Sequence, residues 1–195
     1  MGAAQIKALL DDPKLPFGQG LCVEVGDSSY SKPVYLHSQR EYPNLVTLTR
    51  LRGNRTLYHQ VDRPPDEGKG VGHPTWYGAA FPLAQPEHQP APNATFSCWQ
   101  TNSSGQRYQI KVEAWFNMLM RGKRCPAPIP MHQYPFTLVR LTRYDEAGQP
   151  KFKRPFGWWS WVPDAANCRW NRSIGLTPSA LIWNTSFALA NRSSC

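Results

Sequence analysis

Six Asn-X-Ser/Thr triplets, at Asn54, Asn93, Asn102, Asn171, Asn184 and Asn191, are the residues of this chain whose type and spacing most plainly invite a chemistry, the transfer of N-linked glycan. None has Pro in the middle, and with Ser or Thr at about one position in eight, chance supplies roughly one such triplet. The excess predicts passage through the secretory pathway and an extracellular or cell-surface location, with these six Asn on exposed surface. Five cysteines, Cys22, Cys98, Cys125, Cys168 and Cys195, are widely spaced and contain no C-x-x-C, which argues against a zinc site. An oxidising compartment would leave Cys22, Cys98, Cys125 and Cys168 to form two bridges. Cys195, the last residue given, would reach a partner outside this sequence.

Catalytic patterns are missing from the sequence. It has no H-E-x-x-H, no phosphate-binding G-x-x-x-x-G-K-S/T and no G-x-S-x-G elbow. His37, His59, His73, His88 and His132 are scattered without ligand spacing, and carboxylates such as Asp145 and Glu146 sit in turn-like stretches. These features predict a protein that is not an enzyme, with no catalytic residues, no metal and no cofactor beyond N-linked glycans.

The formal charge of +9 draws polyanions of any kind. Lys151-Phe152-Lys153-Arg154-Pro155-Phe156-Gly157-Trp158-Trp159 interleaves cations with aromatics, as single-strand-binding grooves do. A basic loop leading into a core strand explains it as well, and the sequons favour heparan sulfate over nucleic acid as its partner. Arg121-Gly122-Lys123-Arg124 has the form of a furin site, but Cys125-Pro126 follows, so an exposed basic turn is the preferred reading.

The elements that must position these residues are mostly strands. Eight Trp, nineteen Pro and 18% charged residues describe short strands and ordered loops rather than helices. Leu21–Val25, Lys32–His37, Leu45–Leu51, Thr56–Val61, Phe136–Arg143 and Trp158–Val162 read as strands. In Tyr108–Phe116 the alternation is cleanest, with Tyr108, Ile110, Val112, Ala114 and Phe116 on one face and Gln109, Lys111 and Glu113 on the other. Ile6, Leu9 and Leu10 suggest a short helix over Ala3–Leu10. Thr177 capping Pro178, then Ala180, Trp183, Phe187 and Ala190 on one stripe, suggest a C-terminal helix. The Pro- and Gly-rich stretch Asp62–Pro92 reads as a long ordered loop, with its Gly68–Gly72 run a turn. No apolar run approaches the roughly 18 residues that span a bilayer. With Lys7, Asp11 and Asp12 at the N-terminus, Met1–Leu10 is too short and too interrupted for a leader, so a secreted protein would have lost its own or be given in part. Gly2 lacks the Ser or Thr at position 6 that myristoylation wants.

Tyr134-Pro135-Phe136-Thr137-Leu138-Val139-Arg140-Leu141 followed by Gly148-Gln149-Pro150-Lys151-Phe152, and Cys98, Thr101 and Gly105-Gln106-Arg107-Tyr108 before an amphipathic strand, form a pattern. Together with Phe187–Cys195 it resembles the receptor-binding domain of gammaretroviral and deltaretroviral-type envelope surface subunits and their endogenous relatives. Gln149 stands where that family has Asp, and the Ser-Pro-His-Gln near its N-terminus is missing. The resemblance implies attachment to a host cell-surface receptor protein, with the fusion subunit of the same precursor as second partner and Cys195 as the intersubunit cysteine. The corresponding fold is all-β, an antiparallel immunoglobulin-like sandwich over 1–176 with short peripheral helices and long ordered loops, and a helical segment over 177–195. Trp76, Tyr77 and Phe81 would anchor the receptor, with Lys69, Lys151, Lys153 and Arg154 steering its approach. The alternative is a host immunoglobulin-like or cytokine-receptor-like ectodomain, for which Trp158-Trp159-Ser160-Trp161 is a partial signal.

Overall fold

Alternating apolar and polar residues build the framework, and a computed structural model describes residues 2–18, 20–61, 76–122, 129–151 and 156–161. Within them helix α1 (Gly2–Asp11) precedes strand β1 (Cys22–Gly26), helix α2 (Pro33–Ser38), β2 (Leu45–Arg50), β3 (Thr56–Gln60), β4 (Tyr77–Pro82), β5 (Ala94–Thr101), β6 (Arg107–Leu119), β7 (Phe136–Tyr144) and β8 (Phe156–Trp161). The class is all-β, as the composition suggests. The eight strands form one hydrogen-bonded sheet, ordered β1-β2-β8-β7-β6-β3-β4, with β5 also pairing β6. All pairs are antiparallel except β1 with β2, which is parallel, so the antiparallel expectation needs correction at that edge.

Two segments take another form than their residue types suggest. Lys32–His37 is not a strand, because Pro33 occupies the first helical positions, where its missing N–H costs nothing, and α2 follows. The Ser38 hydroxyl then donates to the Tyr35 carbonyl at 2.7 Å. Asp62–Pro92 is not loop throughout, since β4 and a short 3-10 turn at Pro86–His88 lie inside it. The predicted C-terminal helix and the 177–195 segment lie outside the described residues.

Strand β6 is the spine. Residues Tyr108, Ile110, Val112 and Ala114 are buried, as the alternation requires. Beyond Trp115 the register with β7 shifts before Met118, and Asn117 adopts φ 55, the left-handed conformation that Asn tolerates better than most residues. After this bulge Met118, Leu119 and Met120 are all buried. The bulge lets one strand serve two neighbours, with Arg107–Ala114 pairing β5 and Met118–Leu119 pairing β3. The main core gathers at this second end, where Leu36, Leu57, Phe81, Trp115, Met118, Met131 and Leu138 pack together.

Two tight turns use the same device. In 102–106 the Asn102 side chain accepts from the Ser104 and Gln106 amides at 3.1 and 2.8 Å, and Gly105 takes φ +79. In 145–149 Asp145 accepts from the Gln149 amide at 2.8 Å and Gly148 takes φ +74. An Asx side chain closes each turn, and glycine supplies the left-handed step without a Cβ clash.

Candidate functional site

Side chains two apart along a strand share a face, so the registers of β5, β6 and β7 define one polar face row by row. Thr101 lies opposite Arg107, Trp99 opposite Gln109, Ser97 opposite Lys111 and Thr95 opposite Glu113. On the other side Gln109 meets Tyr144, Lys111 meets Thr142 and Glu113 meets Arg140. The opposite face of the same strands is apolar, with Tyr108, Ile110 and Val112 packed by Phe96, Cys98, Val139 and Leu141.

Trp99 is the conspicuous residue of the polar face, 50% exposed on a strand whose other outward residues are Thr and Ser. The guanidinium carbon of Arg107, its diagonal neighbour across the hairpin, lies 5.2 Å from the centre of the Trp99 ring. At the same corner the Lys151 ammonium donates to the Gln106 side-chain oxygen at 3.2 Å. Farther along, Glu113 is 6% exposed and receives Arg140 Nε at 2.8 Å and Lys111 Nζ at 3.0 Å. Burial pushes the Glu113 carboxyl up, but the hydrogen bonds from Arg140 and Lys111 outweigh it and hold the group below the usual carboxylate range. Arg140 also lies 5.0 Å from the centre of the Trp115 ring and donates to Gln89 Oε1 at 2.8 Å. The arrangement fixes cations on an open face beside an aromatic plane and neutralises the carboxylate set among them.

A Glu113→Gln substitution tests that electrostatic lock. It removes the charge that Arg140 and Lys111 address, and should destabilise the fold by about 2 kcal/mol at neutral pH, the scale of hydrogen bonds to charged groups. Because the folded carboxyl lies below its unfolded value, its contribution is fully present above the unfolded value and disappears as pH falls through the folded one. Urea unfolding should therefore separate wild type from variant at pH 7 and show the gap closing in acid. A gap that persists unchanged below the carboxylate range would contradict the assignment.

The residues singled out from the sequence fall elsewhere. Trp76 is 43% exposed, but its ring stacks on His132 with centroids 4.4 Å apart. Tyr77 meets Tyr58 edge-on at 5.3 Å, with the Arg121 guanidinium 4.5 Å from the Tyr58 ring centre and 5.5 Å from that of Tyr77. Phe81 is 1% exposed in the main core against Trp115, so it presents no surface to a partner. Only Lys151 of the steering cations is described, while Lys69, Lys153 and Arg154 lie outside the described residues. Among the described residues, Phe81 is taken into the core and Lys151 meets Gln106 rather than one of the predicted anchors. Trp99, Arg107 and Lys111 were not among the predicted site residues. Their signal was the alternation of Thr95, Ser97, Trp99 and Thr101 against Phe96 and Cys98.

Asn54 lies exposed in the β2–β3 turn and Asn93 exposed before β5, where its side chain accepts from the Phe116 amide at 2.9 Å. Asn102 is half-buried in its turn, and Asn171, Asn184 and Asn191 lie outside the described residues. The expected disulfide framework needs correction where it is described, because Cys22 and Cys98 are free thiols. Along the sheet order their strands stand at well-separated places, with β2, β8, β7 and β6 between them. Strands lie about 4.8 Å apart, and bridged Cα atoms must come within about 7 Å. Cys22 Sγ donates to the Phe17 carbonyl at 3.2 Å, and burial pushes both thiols up, away from reactive thiolate. Cys125, Cys168 and Cys195 lie outside the described residues.

A family model described as DDE superfamily endonuclease matches residues 7–121, more than half of the chain. No curated protein and no solved structure matches. The family match overturns the resemblance to retroviral envelope surface subunits, and with it the keywords of a viral glycoprotein and both functional readings, receptor attachment and host ectodomain. It overturns the expectation of a non-enzyme, since the family is one of endonucleases. The partners change accordingly: the family implies nucleic acid, against which the sequons argue, in place of the host receptor, the fusion subunit and heparan sulfate.

The expectation of no cofactor is corrected as well, because DDE endonucleases typically use a divalent cation, Mg2+ or Mn2+. The described carboxylates do not fit such a site. Among the described residues no group of three His, Cys, Asp or Glu side chains could hold a metal ion. Six of the seven described in the matched span are engaged one by one: Asp11 with Lys7 at 3.1 Å, Asp12 with the Lys14 amide at 2.9 Å, Asp27 with the Ser29 amide at 2.7 Å and Glu87 with His88 at 3.6 Å. Glu24 accepts from the Tyr35 and Thr47 hydroxyls, and Glu113 is held by its two cations. Asp62, Asp66 and Glu67, also in the matched span, lie outside the described residues. With residues 7–121 matched, the chain belongs to the DDE superfamily endonuclease family.

Proposed function

We propose that the chain works on nucleic acid as a member of an endonuclease family, and that the β5–β6–β7 face is where it holds the polynucleotide. The observation that carries this reading is the half-exposed Trp99 with the Arg107 guanidinium over its ring, on a face that also presents Lys111 and, at its corner, Lys151. Phosphate contacts from Arg and Lys supply affinity through counterion release, and a net charge of +9 suits a polyanionic substrate. Glu113 lies among these cations, but Lys111 and Arg140 meet its charge. The family match supports phosphodiester cleavage as the activity this binding serves. The same reading takes the sheet as sandwich-like, folded at the β6 bulge so that its two ends share strand β6.

Because these contacts are made by side-chain cations, binding should not depend on a divalent metal. Fluorescence anisotropy with a labelled DNA oligonucleotide in low salt should give a dissociation constant on the order of micromolar, at least as tight with excess chelator as with Mg2+. Lack of binding at protein concentrations on the order of 100 μM would overturn the reading, as would binding that vanishes on chelation.

A further inference from the structure

The site on β5–β6–β7 offers more than charge. We propose that its ligand is a single-stranded polynucleotide, one of whose bases stacks on the Trp99 ring, an inference that rests on the nucleic-acid reading of this face. An exposed indole on a sheet edge strand buries its ring when a flat partner covers it, and an unpaired base supplies such a surface whatever its identity. In a duplex the base faces are already stacked on one another, and only base edges and phosphates are open to a sheet. Trp99 has no edge-reading chemistry to match, because its one polar group is a single N–H donor. The neighbours agree with a backbone running beside the stacked base. Arg107 at 5.2 Å fixes a cation against the ring, the Ser97 and Thr95 hydroxyls follow on the same exposed side of β5, and Lys111 stands opposite Ser97 with its side chain 38% exposed.

The other aromatic clusters do not compete for this role. Trp76 is already stacked on His132, and Tyr58 and Tyr77 are already edge-to-face under Arg121. Among the described residues, Trp99 is the case in which an exposed ring has a cation beside it and no aromatic partner. Stacking does not read the sugar, so DNA and RNA single strands share the chemistry.

Anisotropy titrations of wild type, Trp99→Ala and Trp99→Phe with oligothymidylate, oligouridylate and a duplex of the same length, each about 20 nucleotides, test this. Wild type should bind one or both single strands at least about tenfold more tightly than the duplex, the ratio between the two naming the sugar. Trp99→Ala should weaken single-strand binding by about tenfold or more and leave the duplex unchanged, while Trp99→Phe keeps most of the affinity. Since the ring is half-exposed, both variants should melt as wild type does. Equal or tighter duplex binding, or an unaltered Trp99→Ala affinity for the single strands, overturns this inference and leaves the nucleic-acid reading standing. Failure to bind any of the three overturns both.

Discussion

Replacing Trp115 by Ala is expected to cost about 4 kcal/mol of folding stability, the middle of the range for a large aromatic removed from a core. The ring is 2% exposed and meets Phe81 edge-on at 5.3 Å. Its indole N–H donates to the Pro90 carbonyl at 2.9 Å, a partner the truncation leaves unpaired. It also carries the Arg140 guanidinium on its outer side, 5.0 Å from the ring centre. Trp115 therefore joins the core to the cationic face, and its loss should loosen both. Against a total stability of about 5–15 kcal/mol this loss is large. Urea unfolding followed by circular dichroism should show a midpoint shift several times that of Trp115→Phe, which retains the ring contact but not the hydrogen bond. Equal midpoints for the two variants would show that the cavity contributes little.

What could be read in advance follows from the range of the forces involved. Strand β6 announces itself by alternation, a local property, and the burial of Tyr108, Ile110, Val112 and Ala114 follows it, while β2 and β3 are legible as short β-branched or aromatic runs bounded by turn residues. The Lys32–His37 segment misleads because Val34 and Tyr35 favour strands, while Pro33 at the start of a helix decides the outcome. Strand β4, Tyr77-Gly78-Ala79-Ala80-Phe81-Pro82, lacks β-branched residues, and pairing with β3 makes it a strand. Trp99 and Arg107 are eight positions apart and meet only because the hairpin turn at 102–106 sets their strands in register. Phe81 shows the reverse error: an aromatic in a Pro-rich stretch suggests a binding anchor, but pairing of β4 with β3 turns it into the core. The family itself was not legible, because no short spacing motif carries it. The sequon count and a set of short resemblances pointed to a cell surface, whereas the match extends over residues 7–121 as a whole.

Reversing two charges at the corner of the polar face should have the largest effect on binding. Arg107 and Lys151 lie beside the 102–106 turn, and both are exposed. Neither takes part in the Glu113 lock, so Arg107→Glu with Lys151→Glu should leave the melting temperature close to that of wild type. Each cation that neutralises a phosphate releases counterions, so losing two should lower the slope of log affinity against log salt by about 2, or somewhat less on a single strand. The introduced carboxylates add repulsion, and affinity at low salt should fall on the order of a hundredfold.

That salt titration, run on wild type and on the Arg107→Glu, Lys151→Glu variant with one labelled oligonucleotide, is the most direct test of a nucleic-acid-holding face on β5–β6–β7. The account predicts steeply salt-dependent binding by wild type, and weaker, shallower binding by a variant that is folded. Parallel lines of equal affinity for the two proteins, or no binding by wild type at any salt, would contradict it.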